Sequence, residues 1–214
     1  MDEKSNGLIL RVHPFSDTSL MVQWLTPAHG RLTTSARGGR RPKSAFYGKL
    51  DLLFEANFSY RPNKRSDIHT LREMQLSNSH PAIRKDVRKL QLMAYATRFL
   101  EQTTEPNTPI HGIHAIFTSL LEHLSTAAPR PALAYALEMK LLNELGLSPA
   151  LEDSRLTEPT IKLLEQLAIG SWTSIESIKP THSQVKEMRE YLHGFLVYHL
   201  GKLPKGRKAA LALS

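Results

Sequence analysis

Leu50-Asp-Leu-Leu-Phe-Glu-Ala-Asn-Phe-Ser-Tyr60 sets Leu52, Phe54, Ala56, Phe58 and Tyr60 at period two. Asp51, Glu55, Asn57 and Ser59 stand between them, and only Leu53 is out of step. Successive side chains of a strand point to opposite faces, so this run reads as a half-buried β-strand. Working outward, residues 8–13 and 19–25 are apolar runs separated by a turn at Pro14, Ser16 and Asp17. Residues 30–37 form a threonine-rich third strand. Residues 66–74 form a weaker fifth, reached through the turn Arg61-Pro-Asn-Lys64. Five short antiparallel strands with one long, pliable connection predict a small Greek-key barrel of the OB type, with an SH3-like barrel as the structural rival.

After Ser77-Asn-Ser-His-Pro81 the apolar period changes from two to about 3.6. Ile83, Val87, Leu90, Ala94 and Phe99 trace one stripe of a first helix, and a second spans residues 110–124. A third, residues 132–145, is apolar on most sides and belongs at the centre of a bundle, with Gly146 ending it. A fourth starts at Thr157 and runs through Ile169 to Gly170. Thr181-His-Ser-Gln184 has the ends of a capping box for the last long helix, which stops at Gly201. The expected class is α+β: an N-terminal five-stranded OB-type β-barrel, residues 1–78, followed by an all-helical domain, residues 79–214. Trp24 is expected in or near the barrel core. Trp172 is expected on a loop that plugs the helical domain.

The 214 residues carry a net charge of +8 and a pI near 9.8. An anionic partner follows, nucleic acid first and an acidic membrane surface second. Cysteine is absent, which removes disulfides, thiolate zinc sites and cysteine nucleophiles. The N-terminus is polar, without an apolar signal core, and no run approaches a spanning helix, so a cytoplasmic location is expected. Enzymatic signals are poor: there is no Gly-rich phosphate loop, no Gly-x-Ser-x-Gly elbow and no His-Glu-x-x-His. His111 and His114, with Glu122 and His123 beyond, offer a weak metal pair, and Glu152-Asp153 reads as a solvated acidic pair. Neither catalytic residues, a metal nor a cofactor is expected.

Cations carry the functional signal. Arg37, Arg40, Arg41 and Lys43 fall within seven residues that contain no acid. Gly38, Gly39 and Pro42 break regular structure there, and Phe46 and Tyr47 follow at once. Cations displace counterions condensed on a phosphate backbone, and rings offer stacking surfaces to bases. A loop re-entering a strand can bury one ring and expose the other, so both aromatics stay open between packing and stacking. Arg61, Lys64 and Arg65 form a second cluster, in the position that borders the ligand groove of an OB fold. Arg84, Lys85, Arg88 and Lys89 form a third, one stripe of a helix with only Asp86 to balance it. Lys202, Lys205, Arg207 and Lys208 follow the last long helix as a frayed basic tail, suited to an acidic peptide or to the helix dipole.

These residues resemble a known family, the bacterial DNA repair and recombination mediator RecO. The likeness rests on Leu10-Arg-Val-His-Pro-Phe-Ser-Asp-Thr-Ser-Leu20, Thr26-Pro-Ala-His-Gly-Arg-Leu32, Ala36-Arg-Gly-Gly-Arg-Arg-Pro-Lys-Ser44 and Leu71-Arg-Glu-Met74. Weaker matches are Leu142-Asn-Glu-Leu-Gly-Leu-Ser-Pro149 and His199-Leu-Gly-Lys-Leu-Pro-Lys-Gly-Arg207. The resemblance implies an OB fold with a helical domain and binding of single- and double-stranded DNA. It also implies annealing of complementary strands, contact with the acidic C-terminal tail of the single-strand binding protein, and help in loading the RecA recombinase together with RecR. By motif position it assigns DNA binding to Arg37, Arg40, Arg41 and Lys43, extended here to Arg31 and Lys49. A nucleoid-associated location goes with it. Many members carry a four-cysteine zinc module after the segment matching residues 145–149. That module is missing here. The rival readings are a protein-interaction scaffold for acidic tails, an RNA-binding OB fold, and a hydrolase using His111 and His114.

Overall fold

The computed structural model describes residues 1–110, 112–152 and 154–212. Five strands, β1 (Glu3–Pro14), β2 (Leu20–Thr26), β3 (Gly30–Ala36), β4 (Glu55–Arg61) and β5 (Ile68–Asn78), close into a barrel in the order β1-β2-β3-β5-β4. This is an OB-type barrel. β1 supplies the closure by pairing with β4 over Glu3–Leu8 and with β2 over Leu8–Pro14. A bulge between Ile9 and Arg11 bends the strand between its two partners and lets Leu8, Ile9 and Leu10 all be buried. The expectation of purely antiparallel strands is corrected at one seam. β3 and β5 run parallel, Thr33 opposite Ile68 and Ser35 opposite Thr70, because the connection of residues 37–54 leads from β3 to β4 on the far edge of β1, and β5 then returns antiparallel to β4.

The strand at the heart of the sequence pattern is shorter than its alternation. Ala56, Phe58 and Tyr60 point inward, but β4 begins only at Glu55. Leu53 takes a φ of 63°, and its N–H donates to Ile9 O while Phe54 O accepts from Ile9 N, both at 2.8 Å. The out-of-step leucine is therefore the reversal that delivers the chain into β4, and it is fully buried.

Trp24 stacks on Phe58 with centroids 4.1 Å apart, and its Nε1 donates to Thr34 Oγ1 at 2.9 Å. Both residues are buried. Thr34→Val keeps the shape but strands a buried donor, so it should lower stability by about 1–3 kcal/mol in a urea titration.

The chain divides into two compact units: Met1–Pro81 with Thr104–Thr118, and Ala82–Thr103 with Ser119–Ser214. In the first, residues 104–109 lie against the start of β3. Asn107 N donates to Arg31 O at 2.8 Å, and Gly30 is so close that a Cβ would stand 2.1 Å from Thr108 O. His80 Nε2 lies 3.2 Å from Glu55 Oε1. Chiefly the His80 imidazole beside it, with His114 further off, holds the Glu55 carboxyl below the usual carboxylate range, while burial pushes the His114 ring down. A depressed carboxyl stabilises the fold above its unfolded value of 4.5 and loses that stabilisation as pH falls through the folded value. Glu55→Gln should therefore flatten the acid limb of a stability-against-pH curve, measured by urea midpoints below about pH 5.

The helices are α1 (Pro81–Arg84), α2 (Val87–Thr103), α3 (Ile113–Thr126), α4 (Pro131–Glu144), α5 (Glu158–Ile169), α6 (Trp172–Glu176), α7 (His182–Leu200) and α8 (Arg207–Leu211). As expected, α4 is the central one, buried from Leu133 to Leu142 except for half-buried Lys140. It packs on α5, α6 and α8, and α5 packs on α7. Thr157 and Gly170 flank α5 as read. The capping box at Thr181 and Gln184 forms, and Gly201 ends α7 in the left-handed conformation.

Four expectations fail among the helices. The first helix is broken: Asp86 Oδ1 accepts from Arg88 N at 2.9 Å and caps a new helix at Val87. The break shifts the phase, so Val87 and Ala94 are exposed while Leu92, Met93, Tyr95, Ala96, Phe99 and Leu100 form the buried face. The second helix starts at Ile113 rather than residue 110. Trp172 lies not on a loop but in the first turn of α6, where Nε1 donates to Ser119 Oγ at 2.9 Å. The basic C-terminal segment is not frayed over its described length, since it carries α8.

Candidate nucleic-acid interface

Residues 37–54 join β3 to β4 and hold the densest cationic run. Gly38, at a φ of +67°, turns the chain. A series of short-range bonds follows: Arg41 N to Gly38 O at 2.9 Å, Ser44 N to Arg41 O at 2.9 Å, Tyr47 N to Ser44 O at 3.1 Å and Lys49 N to Phe46 O at 3.1 Å. The long connection is built as a series of turns, in which several backbone N–H groups find a carbonyl three residues back. It is also latched to the β1–β2 turn. Arg40 N donates to Thr18 O at 3.0 Å, and Arg40 Nη1 donates to Ser16 O at 3.2 Å.

Arg37, Arg40, Arg41, Lys43 and Lys49 are exposed. No carboxylate pairs with Arg37, Arg40, Arg41 or Lys43 among the described residues. The two rings part company. Phe46 is buried in the barrel core with Trp24, Phe54 and Leu71, which takes it out of any stacking surface, whereas Tyr47 is 60% exposed. The turn 62–67 between β4 and β5 presents Lys64 and Arg65 to solvent, shaped by Asn63 Oδ1 accepting from Arg65 N at 3.0 Å. Since β3 and β5 are parallel, this turn and the basic loop lie at opposite ends of β3. The turn leads into Ile68, opposite Thr33, whereas the basic loop follows Ala36.

Other predicted cations are committed elsewhere. Arg31 is half-buried, and its guanidinium donates to Thr104, with Nε 2.8 Å from Oγ1. Arg61 Nε donates to Asp2 Oδ1 at 2.8 Å, and that guanidinium holds the Asp2 carboxyl below the usual range. The expected stripe of Arg84, Lys85, Arg88 and Lys89 does not exist, because the helix breaks at Asp86. Arg84 and Lys85 are exposed, Arg88 pairs with Asp86 at 3.2 Å, and Lys89 is buried, its Nζ donating to Leu124 O in the last turn of α3.

At the C-terminal end Lys202, Lys205 and Lys208 are exposed, but Arg207 is not. Its Nε and Nη2 donate to Glu138 Oε1 and Oε2 at 2.8 and 3.0 Å, and Tyr95 OH donates to the same carboxylate at 2.6 Å. Beside this cluster a groove of about 580 Å³ is lined by Val185, Leu203 and Leu211, with Arg189 and Lys208 among its other walls.

The sequence reading missed Phe15, which is 52% exposed on the β1–β2 turn beside the basic loop. An aromatic directly after Pro14 in a predicted turn was the available signal. His111 and Asp153 lie outside the described residues. His114 faces Glu55, and His123 Nε2 lies 3.7 Å from Glu176 Oε2. Among the described residues no three His, Asp or Glu side chains are grouped to hold a metal. Nor is any helix long and apolar enough to cross a membrane.

Residues 1–80 match the family model described as recombination protein O N terminal, and residues 84–158 match recombination protein O C terminal. Similar curated proteins include the DNA repair protein RecO of Bacillus pumilus, 26% identical over 149 residues, which cover 70% of this chain and 57% of that protein. The protein of the same name from Exiguobacterium sibiricum is 28% identical over 154 residues, 71% of this chain and 60% of the relative. That of Bacillus subtilis is 26% identical over 148 residues, 69% and 57% respectively. The matched part thus spans less than two thirds of the length of these relatives.

Proposed function

Because this chain belongs to the recombination protein O family, we propose that it is a non-catalytic DNA repair and recombination mediator. It binds single- and double-stranded DNA, anneals complementary strands and helps load RecA on DNA coated by the single-strand binding protein, with RecR as a further partner. The observation that carries the reading is the run of exposed, unpaired cations on the turn-locked loop of an OB barrel. Arg37, Arg40, Arg41, Lys43 and Lys49 hold backbone phosphates there, Tyr47 offers a ring, and Lys64 and Arg65 extend the track from the far end of β3. Two strands held on one basic surface repel each other less, which is a physical route to annealing. Residues 1–78 are the DNA-binding part in this reading, and residues 79–214 are the partner-binding part.

The tail of the single-strand binding protein is acidic, and the groove between α7 and α8 suits it. Lys208 and Arg189 meet carboxylates, Val185, Leu203 and Leu211 meet apolar side chains, and Lys202 and Lys205 extend the positive rim. The decisive experiment is fluorescence anisotropy with labelled single-stranded DNA, repeated with the tail peptide as competitor. Binding that weakens linearly on a log–log salt plot supports the reading. A protein that takes the peptide but leaves oligonucleotides free at moderate salt is an interaction scaffold instead. Preference for RNA over DNA of equal length would make it an RNA-binding OB protein.

A further inference from the structure

We infer that the groove between the β1–β2 turn and the basic loop seats one unstacked base of a single strand, with Phe15 as the stacking ring and Arg37 and Arg41 on the adjoining phosphates. The inference rests on the polynucleotide reading above and adds to it a base-contacting residue and a strand preference for that seat. The groove encloses about 500 Å³ and is walled by Phe15, Ser16, Thr18, Ser19, Arg37 and Arg41. No carboxylate is among its lining residues. Its geometry is fixed from both sides. Phe15 N donates to Ser19 O at 3.0 Å, Ser19 N donates to Ser16 Oγ at 3.2 Å, and the Arg40 bonds to Ser16 and Thr18 tie the turn to the loop.

A single exposed aromatic is ordinary on a protein surface; its company here is what carries weight. Phe15 is absent from the barrel core, sits on a bonded turn rather than a mobile end, and shares one groove with two unpaired guanidinium groups and several hydroxyls. A ring face recognises any base without reading its edge, while the cations take the phosphates on either side. In a duplex the base faces are already covered by their neighbours, so this seat accepts an unpaired base only.

The test is anisotropy with labelled oligothymidine, a strand of equal length made of abasic residues, and a duplex. Phe15→Ala should weaken oligothymidine binding by roughly five- to one-hundred-fold. It should leave the abasic strand, the duplex and the salt slope as they are in the parent protein. Phe15→Trp should bind oligothymidine at least as well as the parent, and Phe15→Leu, which keeps bulk without a ring face, should behave like alanine. Arg37→Ala and Arg41→Ala should lower affinity and salt slope on all three ligands. If Phe15→Ala matches the parent while the arginine variants weaken, the seat is overturned and the polynucleotide reading stands. Equal losses on oligothymidine and the abasic strand, or full rescue by leucine, also overturn the seat. A parent protein that binds none of the three ligands ends both readings.

Discussion

Replacing Arg37, Arg40, Arg41 and Lys43 together by alanine is expected to flatten the dependence of DNA affinity on salt. The log–log slope should fall by about 3 units on single strands and nearly 4 on duplex, because each phosphate contact releases roughly 0.7 or 0.9 of a counterion. At about 0.1 M salt the same release term is worth as many decades of affinity as units of slope, so binding should drop about a thousandfold. Arg37, Arg41 and Lys43 are exposed, Arg40 gives up one exposed bond to Ser16 O, and the anchor of the loop, Phe46, is untouched. The melting temperature should therefore stay near that of the parent. A slope that does not move would take the loop out of the DNA-binding account. Lys64→Ala with Arg65→Ala is the internal comparison, with an expected change of about 1.5 units.

The second large effect concerns stability. Glu138 is fully buried in α4 and bonded on both oxygens, by Arg207 from α8 and Tyr95 from α2. Burial, with the Glu138 carboxylate beside it, pushes the Tyr95 hydroxyl well above its ordinary range, so it remains a donor. Glu138→Ala leaves a buried guanidinium and a buried phenol without their acceptor and should cost about 3–5 kcal/mol. By thermal unfolding that is a fall of about 10 °C. Arg207→Ala should cost a similar amount, since it abandons the carboxylate instead. Replacing Glu138 by leucine and Arg207 by methionine together should cost far less than either single change, because no buried charge is then left without its partner. Additive losses in that cycle would mean that the two residues act independently.

What could be read from the sequence follows how local each interaction is. The second half of the β4 alternation, the capping box and the glycine stops are contained within a few residues, and these appear where the pattern puts them. Leu53 was opaque because its role depends on a backbone bond to Ile9, on another strand. Arg31 looked like one more cation of the basic stretch until Thr104, 73 positions on, took its guanidinium. Asp86 read as a lone acid balancing four cations, but an aspartate before an apolar period is also a helix cap. As a cap it dissolves the stripe and turns Lys89 inward. Arg207 and Glu138, 69 positions apart, show no trace of each other in one sequence. The basic loop was legible in its charges but not in its turn bonds, since glycine and proline announce a departure from regular structure without saying which backbone groups then pair.

The cationic segment is anchored at its midpoint by Phe46 and bonded to the neighbouring turn through Arg40. If this surface binds DNA as proposed, strands would leave by peeling, one phosphate after another, and each vacated cation would be open at once to whatever polyanion is nearby. Adding unlabelled competitor DNA should then speed the loss of a labelled strand, measured by stopped-flow anisotropy.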